Sequence, residues 1–326
     1  MSGWLTGRNV VALILIVIAV SASFLIYRLM HPTPELEVEK RWVGDVTPAS
    51  GPGVPPPGIK GDGPWNHRLL IAISDDGLNW SKTYRILADQ ASVPDVIVDM
   101  DGYVRVYYVD YFNLGIVVAI SKDLENWTYI KVKGINGSWV DPSIVILPDG
   151  RFRLYASYMP LHGKQNKILS AISDDGVHFR AEPGIRYEGK ESITDPDVIY
   201  ANGKWVMFLQ VLSLPKPKIL MLTSEDGLTF KEKAEICVEG QVPCLIRHGK
   251  GYRLYLHRDD VSSILTYYSE DLEKWGKMTA VLNRGRPKSL DENGVADPAV
   301  AKLPNGTYIM VYKTWIREFK LEKTNP

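Results

Sequence analysis

The heptad Ser74-Asp-Asp-Gly-Leu-Asn-Trp80 is the first of five related heptads in this sequence of 326 residues. The serines that open the heptads are spaced 47, 52, 51 and 45 residues apart. Each heptad follows a short apolar segment, and its acidic third residue can accept hydrogen bonds from the backbone N–H groups of a turn. We therefore interpret these acidic residues as parts of turns and not as catalytic groups. The other heptads are Ser121-Lys-Asp-Leu-Glu-Asn-Trp127, Ser173-Asp-Asp-Gly-Val-His-Phe179, Ser224-Glu-Asp-Gly-Leu-Thr-Phe230 and Ser269-Glu-Asp-Leu-Glu-Lys-Trp275.

A second pattern repeats between the heptads. A strand with a proline near its start is followed each time by a turn and by a second strand that is rich in aromatic residues. Together with the strands around each heptad, this makes four strands in about 45–50 residues, which is the period of a propeller blade. The five proline-containing segments are VPDVIV (93–98), DPSIVI (141–146), DPDVIY (195–200), VPCLIR (242–247) and DPAVAK (297–302).

The phase of the repeats predicts how the fold closes. The repeats begin with the third and fourth strands of a blade, from Leu69 to about Arg85, and end with a first and second strand, from Asp297 to Tyr312. Both ends of the chain must then complete one blade, which leaves no open sheet edge. The sequence therefore predicts an all-β, five-bladed β-propeller with four-stranded blades.

Composition excludes several functional classes. The 38 basic residues are balanced by 38 acidic ones, so the chain lacks the positive charge that a nucleic-acid-binding protein needs. Two cysteines are too few for a disulfide scaffold or a four-cysteine zinc site.

The N-terminal region predicts a membrane anchor. Residues Val10 to Tyr27 carry no charge and lie between Arg8 and Arg28, which is close to the length of a transmembrane helix. A cleaved signal peptide is the alternative, because Val20-Ser-Ala22 resembles a cleavage site. The apolar run continues past that point, which favours an uncleaved anchor over residues 1–30.

The remaining boundaries follow from composition and from the repeats. Residues 31–65 are rich in proline and glycine and predict a linker, followed by the propeller at 66–316 and a tail at 317–326. We expect the propeller to be extracytoplasmic. This expectation rests on its architecture and on four Asn-x-Ser/Thr sequons, at Asn79, Asn126, Asn136 and Asn305.

The chain resembles the five-bladed propeller glycosidases of the arabinanase, fructosidase and related furanosidase type. The likeness rests on the heptad turns and on the strand Asp-Pro-Ser-Ile-Val (141–145) with its following hairpin Pro-Asp-Gly-Arg-Phe-Arg-Leu-Tyr (148–155). It covers residues 66 to about 315. The resemblance implies a site at one end of the central channel, built from three carboxylates: a base or nucleophile, an orienting Asp and an acidic Glu.

Aspartates on the proline-containing strands match this pattern in part. Asp141 and Asp195 directly precede the proline of the second and third blades, and we expect them to be the base and the orienting carboxylate. We expect Asp95, Asp197 and Asp297 to contact substrate. Asp before Pro is also a common way to open a turn. However, Val93 and Val242 hold the same position in the other two blades, so the turn does not demand Asp.

The position of the acid departs from the family pattern, in which Glu-Gly-Pro opens the relevant strand. Here the sequence from 238 to 243 reads Val-Glu-Gly-Gln-Val-Pro. If the proline sets the register, Gln241 takes the place of the acid; if the Glu-Gly pair sets it, Glu239 is the acid. Cys237 and Cys244 flank this loop and either form a disulfide or remain two thiols.

Two further residues are candidates for substrate binding. His257 and Arg258 end a strand and either contact substrate or belong to a solvated loop. We predict no cofactor and no metal: the resemblance allows a channel Ca²⁺, but no acidic loop has the spacing of a Ca²⁺ site.

These observations predict a membrane-anchored, extracytoplasmic glycoside hydrolase-like propeller that acts on an oligo- or polysaccharide. The alternative is a non-catalytic carbohydrate-binding or surface-display propeller. Carboxylates that converge at one end of the channel favour the enzyme. A channel end closed by Val93, Val242 and aromatic residues favours the binding module.

Overall fold

The computed structural model describes residues 42–59, 61–159, 166–213 and 216–318. These residues form 20 β-strands in five antiparallel sheets of four strands each, so the predicted five-bladed propeller is confirmed. The first strand of each blade contacts the first strands of the two neighbouring blades, so these five inner strands line the central channel.

The blades are numbered in chain order from the inner strand outwards. Blade 1 contains β3 (Ala91–Val98), β4 (Val104–Asp110), β5 (Gly115–Ser121) and β6 (Thr128–Lys131), and blade 2 contains β7 (Trp139–Ile146), β8 (Phe152–Tyr158), β9 (Lys167–Ser173) and β10 (Arg180–Ala181). Blade 3 contains β11 (Ile193–Ala201), β12 (Lys204–Val211), β13 (Lys218–Ser224) and β14 (Lys231–Ile236). Blade 4 contains β15 (Gln241–His248), β16 (Gly251–His257), β17 (Ser263–Ser269) and β18 (Thr279–Asn283), and blade 5 contains β19 (Ala296–Lys302), β20 (Tyr308–Trp315), β1 (His67–Ser74) and β2 (Ser81–Asp89).

Blade 5 is built from both ends of the propeller, as the phase of the repeats predicts. The C-terminal strand β20 pairs with the N-terminal strand β1 over eight residues, from His67 opposite Trp315 to Ser74 opposite Tyr308. This pairing satisfies the backbone groups of two strands that would otherwise be exposed edges.

The heptads form the turns between the third and fourth strands. In the first of them, the Asp76 carboxylate accepts hydrogen bonds from the N–H groups of Leu78 and Asn79, both at 2.8 Å. The Ser74 hydroxyl donates to the same carboxylate and accepts from the Gly77 N–H. The other four heptads repeat this pattern, so their recurring acidic residues have a structural role, as the sequence indicated.

Tyrosines on the second strands explain why three heptads contain glycine. In three blades, a tyrosine hydroxyl donates a 2.8 Å hydrogen bond to the carbonyl of a heptad glycine in the next blade: Tyr107 to Gly176, Tyr155 to Gly227 and Tyr255 to Gly77. A Cβ atom on any of these glycines would lie less than 3 Å from the tyrosine oxygen. The other two heptads have Leu124 and Leu272 in place of glycine. These leucines pack in the same core clusters as Val311 and Phe208, whose side chains have no hydroxyl group.

Each inner strand has a bulge at the residue before its proline. These residues all have a positive φ, between 44° and 53°: Val93, Asp141, Asp195, Val242 and Asp297. Aspartate tolerates this left-handed conformation better than a β-branched residue does. The aspartates therefore have a local backbone role in addition to any chemical one.

The residue after each proline connects neighbouring blades. In four blades its side chain accepts a hydrogen bond from an N–H group of the next inner strand: Asp95 from Ile144 (2.6 Å), Ser143 from Val198 (3.0 Å), Asp197 from Leu245 (2.5 Å) and Cys244 from Val300 (3.3 Å). In blade 5 this position is Ala299, which has no acceptor, and Asp95 itself accepts from the Val96 N–H. We call Asp95, Ser143, Asp197 and Cys244 the inter-blade ring.

Part of the segment that the sequence predicts as a linker lies against the propeller. Asp45 donates from its N–H to the Tyr129 carbonyl, Gly51 donates to the Asp89 carboxylate at 2.6 Å, and the Tyr111 hydroxyl donates to the Val54 carbonyl. These contacts hold the described residues between 44 and 66, here called the N-terminal strap, along blades 1 and 5.

The predicted membrane anchor, residues 1–30, lies outside the described residues. Within the described part of the chain, no helix is long and apolar enough to cross a membrane.

The inter-blade ring predicts how stability responds to changes at Asp197. Burial raises the pKa of this carboxyl well above its ordinary value, so a neutral acceptor can replace it. We expect Asp197→Asn to change the free energy of unfolding by less than about 1 kcal/mol, because its amide oxygen still accepts from Leu245. Asp197→Ala leaves that N–H unpaired and should lower stability by about 1–3 kcal/mol. Urea unfolding of both variants tests this, and equal losses would contradict it.

Candidate active site

Three aspartates lie together at the end of the channel where the inner strands begin, here called the channel mouth. Asp141, Asp195 and Asp297 directly precede the prolines of β7, β11 and β19, and their exposed fractions are 6%, 9% and 2%. Their carboxyl groups interact electrostatically: both Asp141 and Asp297 raise the pKa of Asp195. The structure thus brings together three of the carboxylates that the sequence singled out.

Polar residues at the ends of the second strands hold this arrangement in place. In three blades such a residue accepts a hydrogen bond from the N–H of the pre-proline residue in the next blade: Ser157 from Asp195 (3.2 Å), Gln210 from Val242 (2.8 Å) and His257 from Asp297 (3.3 Å). The backbone at the mouth is therefore fixed from the neighbouring blade, which orients the aspartate side chains.

Asp141 and Asp195 are both in surroundings that favour the protonated form. Burial raises the pKa of Asp141, and the 2.6 Å hydrogen bond from the Thr194 hydroxyl to its Oδ2 only partly opposes this. Burial and then the charges of Asp141 and Asp297 raise the pKa of Asp195 well above its ordinary value. Asp195 therefore keeps its proton to a higher pH than an ordinary aspartate does.

Asp297 is in the opposite situation. Burial alone would raise its pKa, but the ammonium group of Lys313, 2.7 Å from Oδ2, holds the pKa of Asp297 below its ordinary value. His257 also lies close, with its Nδ1 3.5 Å from the Asp297 Oδ1. Asp297 is therefore the ionised carboxylate of the group.

His257 acts as a neutral hydrogen-bond acceptor. Burial lowers the pKa of its imidazole to about 4, so at neutral pH its Nδ1 can accept from the Asp297 N–H. This role differs from the substrate contact that the sequence suggested, because His257 positions Asp297 through the main chain.

Asp95 and Asp197 do not join the group at the mouth. They lie two residues further along their strands, in the inter-blade ring, where backbone N–H groups occupy their carboxylates. Burial raises the pKa of Asp95 to about 6. Both residues line a channel cavity of about 360 Å³ whose other walls are mainly valine and isoleucine.

Glu239 and Arg258 form an ion pair at the surface. The Arg258 Nη1 lies 3.3 Å from the Glu239 Oε1, and the two side chains are 32% and 46% exposed. None of the described contacts of Glu239 involves an aspartate of the mouth. The side chain of Gln241, the alternative in that register, lies between Gln210 and Asp259. Cys237 and Cys244 are both free thiols, and only Cys244 is buried.

The sequence analysis did not single out Thr194, Ser157 or Gln210 as site residues, and it did not predict that Lys313 pairs with Asp297. A signal for three of them exists: the aromatic-rich second strands end on polar residues at equivalent positions, namely Ser157, Gln210, His257 and Lys313. Among the residues that the structure describes, no three acidic, histidine or cysteine side chains form a group that could hold a metal ion.

Comparison with known proteins agrees with this fold. The family model described as the glycosyl hydrolases family 32 N-terminal domain matches residues 116–245. A search of curated proteins finds no match.

Several solved structures share the architecture at low identity. A thermostable family-43 glycoside hydrolase superposes with a TM-score of 0.55 at 14% identity, covering 72% of this chain and 94% of that one. An N-acetylgalactosamine deacetylase from F. plautii, in complex with blood group B trisaccharide, gives 0.55 at 14% identity, covering 73% and 82%. An exo-β-1,3-galactanase from Phanerochaete chrysosporium with galactose gives 0.51 at 11% identity, covering 68% and 60%.

The chain is therefore a five-bladed β-propeller that is similar, over residues 116–245, to the glycosyl hydrolases family 32 N-terminal domain. Its resemblance to the propeller glycosidases, first indicated by the heptads and the Asp-Pro-Ser-Ile-Val strand, is confirmed by the family match and by the shared fold.

The buried pair of Lys313 and Asp297 predicts a pH-dependent loss of stability. Removing one partner of such a pair destabilises a protein by about 3–5 kcal/mol, so we expect Lys313→Met to do so at pH 7. Because the folded pKa of Asp297 is lowered, its stabilising effect is present above the unfolded pKa of about 3.9 and is lost as the pH falls through the folded value. Without Lys313 the folded pKa rises, so the deficit should shrink as the pH falls and Asp297 takes up a proton.

Unfolding curves between pH 4 and 8 measure this effect. The double variant Lys313→Met/Asp297→Asn is the matched control and should recover most of the lost stability at pH 7. A deficit that is independent of pH, or a double variant as unstable as Lys313→Met, would contradict the assignment of Asp297 as an ionised carboxylate.

Proposed function

We propose that this chain hydrolyses glycosidic bonds of an oligo- or polysaccharide at the channel mouth, with Asp195 as the proton donor and Asp297 as the ionised carboxylate. The observation that carries this proposal is the opposite direction of the two pKa shifts within one group of interacting aspartates. Glycoside hydrolysis requires one carboxyl group that holds a proton and another that stays charged.

The roles follow from the surroundings of each residue. Asp195 gives its proton to the glycosidic oxygen as the bond to the anomeric carbon breaks. Asp297 faces the positive charge that develops on the sugar and acts either as nucleophile or as the base for water, depending on the distance between the two carboxyl groups. Asp141, held by Thr194, is a positioning residue that keeps the pKa of Asp195 raised.

Glu239 is the second candidate for the proton donor. Its exposed carboxylate and its partner Arg258 lie on loops that follow β14 and β16, and an exposed ion pair of this kind is weak enough to rearrange around a substrate. The family resemblance favours Glu239, whereas the electrostatics of the mouth favour Asp195.

We also propose that the propeller acts outside the cytoplasm while attached to a membrane. The uncharged segment from Val10 to Tyr27 supports the attachment. The four sequon asparagines, Asn79, Asn126, Asn136 and Asn305, are all exposed, as glycosylation outside the cytoplasm requires.

A carbohydrate-binding propeller without catalysis is the alternative function. It is favoured by Val93 and Val242, which replace aspartate at two of the five pre-proline positions, and by the low exposure of the three mouth aspartates. Binding of glycans that survives the loss of all three aspartates, without turnover by the parent, would support it.

Variants of the two candidate donors test the proposal with substrates that differ in leaving group. For Asp195→Asn we expect a loss of about 10²–10⁴-fold in kcat/KM on alkyl or sugar glycosides, since their leaving groups need a proton. The loss should be smaller on 4-nitrophenyl glycosides, whose leaving group departs as the anion. Asp297→Asn should lower activity on both substrate types.

Glu239→Gln is the matched control and should retain the activity of the parent chain on both substrate types. If Glu239→Gln shows the leaving-group dependence and Asp195→Asn does not, Glu239 is the donor and our assignment is wrong. If the folded parent chain turns over no glycoside in a broad screen but binds glycans, the proposed hydrolysis is wrong.

A further inference from the structure

A serine, a histidine and an aspartate form a continuous hydrogen-bonded line beside the mouth aspartates. The Ser92 hydroxyl lies 3.0 Å from the Nδ1 of His67, and the Nε2 of His67 lies 3.0 Å from the Oδ2 of Asp62. The three residues come from three segments: the inner strand of blade 1, the start of β1 and the N-terminal strap. No step of the proposed glycoside hydrolysis uses them.

The surroundings fix the protons along this line. Burial, and then the charge of Lys313, lower the pKa of His67, so its imidazole is neutral near pH 7. Burial of Asp62 is outweighed by hydrogen bonds from His67 and Trp315, which lower the pKa of this carboxyl. An ionised Asp62 accepts the Nε2 proton of His67 and the indole proton of Trp315, the latter at 2.8 Å. The Nδ1 of His67 is then left to accept the proton of Ser92.

This is the arrangement of a nucleophilic serine with its base and its orienting carboxylate. The two ring nitrogens have exchanged partners relative to the serine proteases, since serine faces Nδ1 here and the carboxylate faces Nε2. The chemistry is unchanged, because a neutral imidazole that donates through one nitrogen can accept through the other.

The position of Ser92 also suits a reactive group. It directly precedes Val93, the pre-proline residue of blade 1, which corresponds to Asp141, Asp195 and Asp297 of the mouth. His67 packs edge-to-face against Trp315 at 5.6 Å and interacts electrostatically with Asp297 and Lys313. Ser92 is therefore part of the channel mouth.

We propose that Ser92 is the nucleophile of a second hydrolytic reaction at the channel mouth, the cleavage of carboxylic esters. If the glycan-directed function proposed above is correct, the natural ester is an acylated sugar hydroxyl; that choice of alcohol rests on the proposed function, whereas the ester chemistry does not.

The reaction proceeds in two balanced steps. In the first, the Ser92 Oγ forms a bond to the ester carbonyl carbon while its proton passes to the His67 Nδ1; the bond to the alcohol oxygen then breaks, and the alcohol leaves with that proton. In the second, water attacks the acyl-serine, gives one proton to His67, and the carboxylic acid leaves as the Ser92 oxygen regains a proton. Asp62 holds the imidazole and balances its charge while it is protonated.

A fluorophosphonate reagent and 4-nitrophenyl acetate test the proposal on the full-length chain. We expect the reagent to label Ser92, as located by mass spectrometry of the digested protein, and the parent chain to hydrolyse the ester. Ser92→Ala and His67→Gln should each lower kcat by 10²-fold or more, and Asp62→Asn should lower it while the fold persists by circular dichroism. The control variant is Ser170→Ala, which removes a buried hydroxyl that donates a hydrogen bond to Glu182, away from the mouth. It should hydrolyse the ester as fast as the parent chain does.

The same experiment distinguishes this reaction from a purely structural role of the three residues. If the three residues have only a structural role, the reagent will not label Ser92, and the parent chain will hydrolyse the ester no faster than Ser92→Ala does. Either result would overturn the proposal. Asp195→Asn should retain ester hydrolysis while losing glycoside hydrolysis, so the two proposals can fail separately.

Discussion

The five inner strands have no neighbouring strand on the side of the channel, so their backbone N–H groups must find other acceptors. A buried N–H group without a partner costs about as much as a lost hydrogen bond. This propeller supplies the acceptors from side chains of the preceding blade, at the residue after the proline and at the end of the second strand. The order of the blades around the channel is thereby specified by hydrogen bonds as well as by apolar packing.

The same constraint shapes the candidate site. Asp95 and Asp197 resemble catalytic carboxylates in sequence, but their oxygens are engaged by backbone groups in the inter-blade ring. Two residues earlier, at the residue before the proline, the backbone N–H is bonded by Ser157, Gln210 or His257 instead, and the aspartate side chains remain available for other contacts. The Asp297 carboxylate pairs with Lys313 and stays ionised. Its negative charge contributes to the raised pKa of Asp195.

The fold was predictable because its repeats are local: each heptad and each proline-containing strand carries its own turn and strand signals. The three mouth aspartates were predictable for the same reason. His67 and Ser92 were not, because no repeat marks them and they come together only where β1 and β3 of neighbouring blades pack against each other. The contacts of the strap with the propeller could not be predicted either. A composition rich in proline and glycine indicates a linker whether or not the segment forms hydrogen bonds with the propeller. The Glu239 acid stays a prediction from the family pattern.

The separation of charge between Asp195 and Asp297 is the central claim, and carboxyl titration by NMR of ¹³C-labelled aspartate tests it most directly. Spectra of Asp195→Asn and Asp297→Asn assign the two signals. We predict that Asp195 releases its proton above the ordinary range for aspartate, whereas Asp297 stays ionised below that range. Two signals that both titrate near the ordinary value would contradict the account, and so would an Asp297 that takes up its proton before Asp195 as the pH falls.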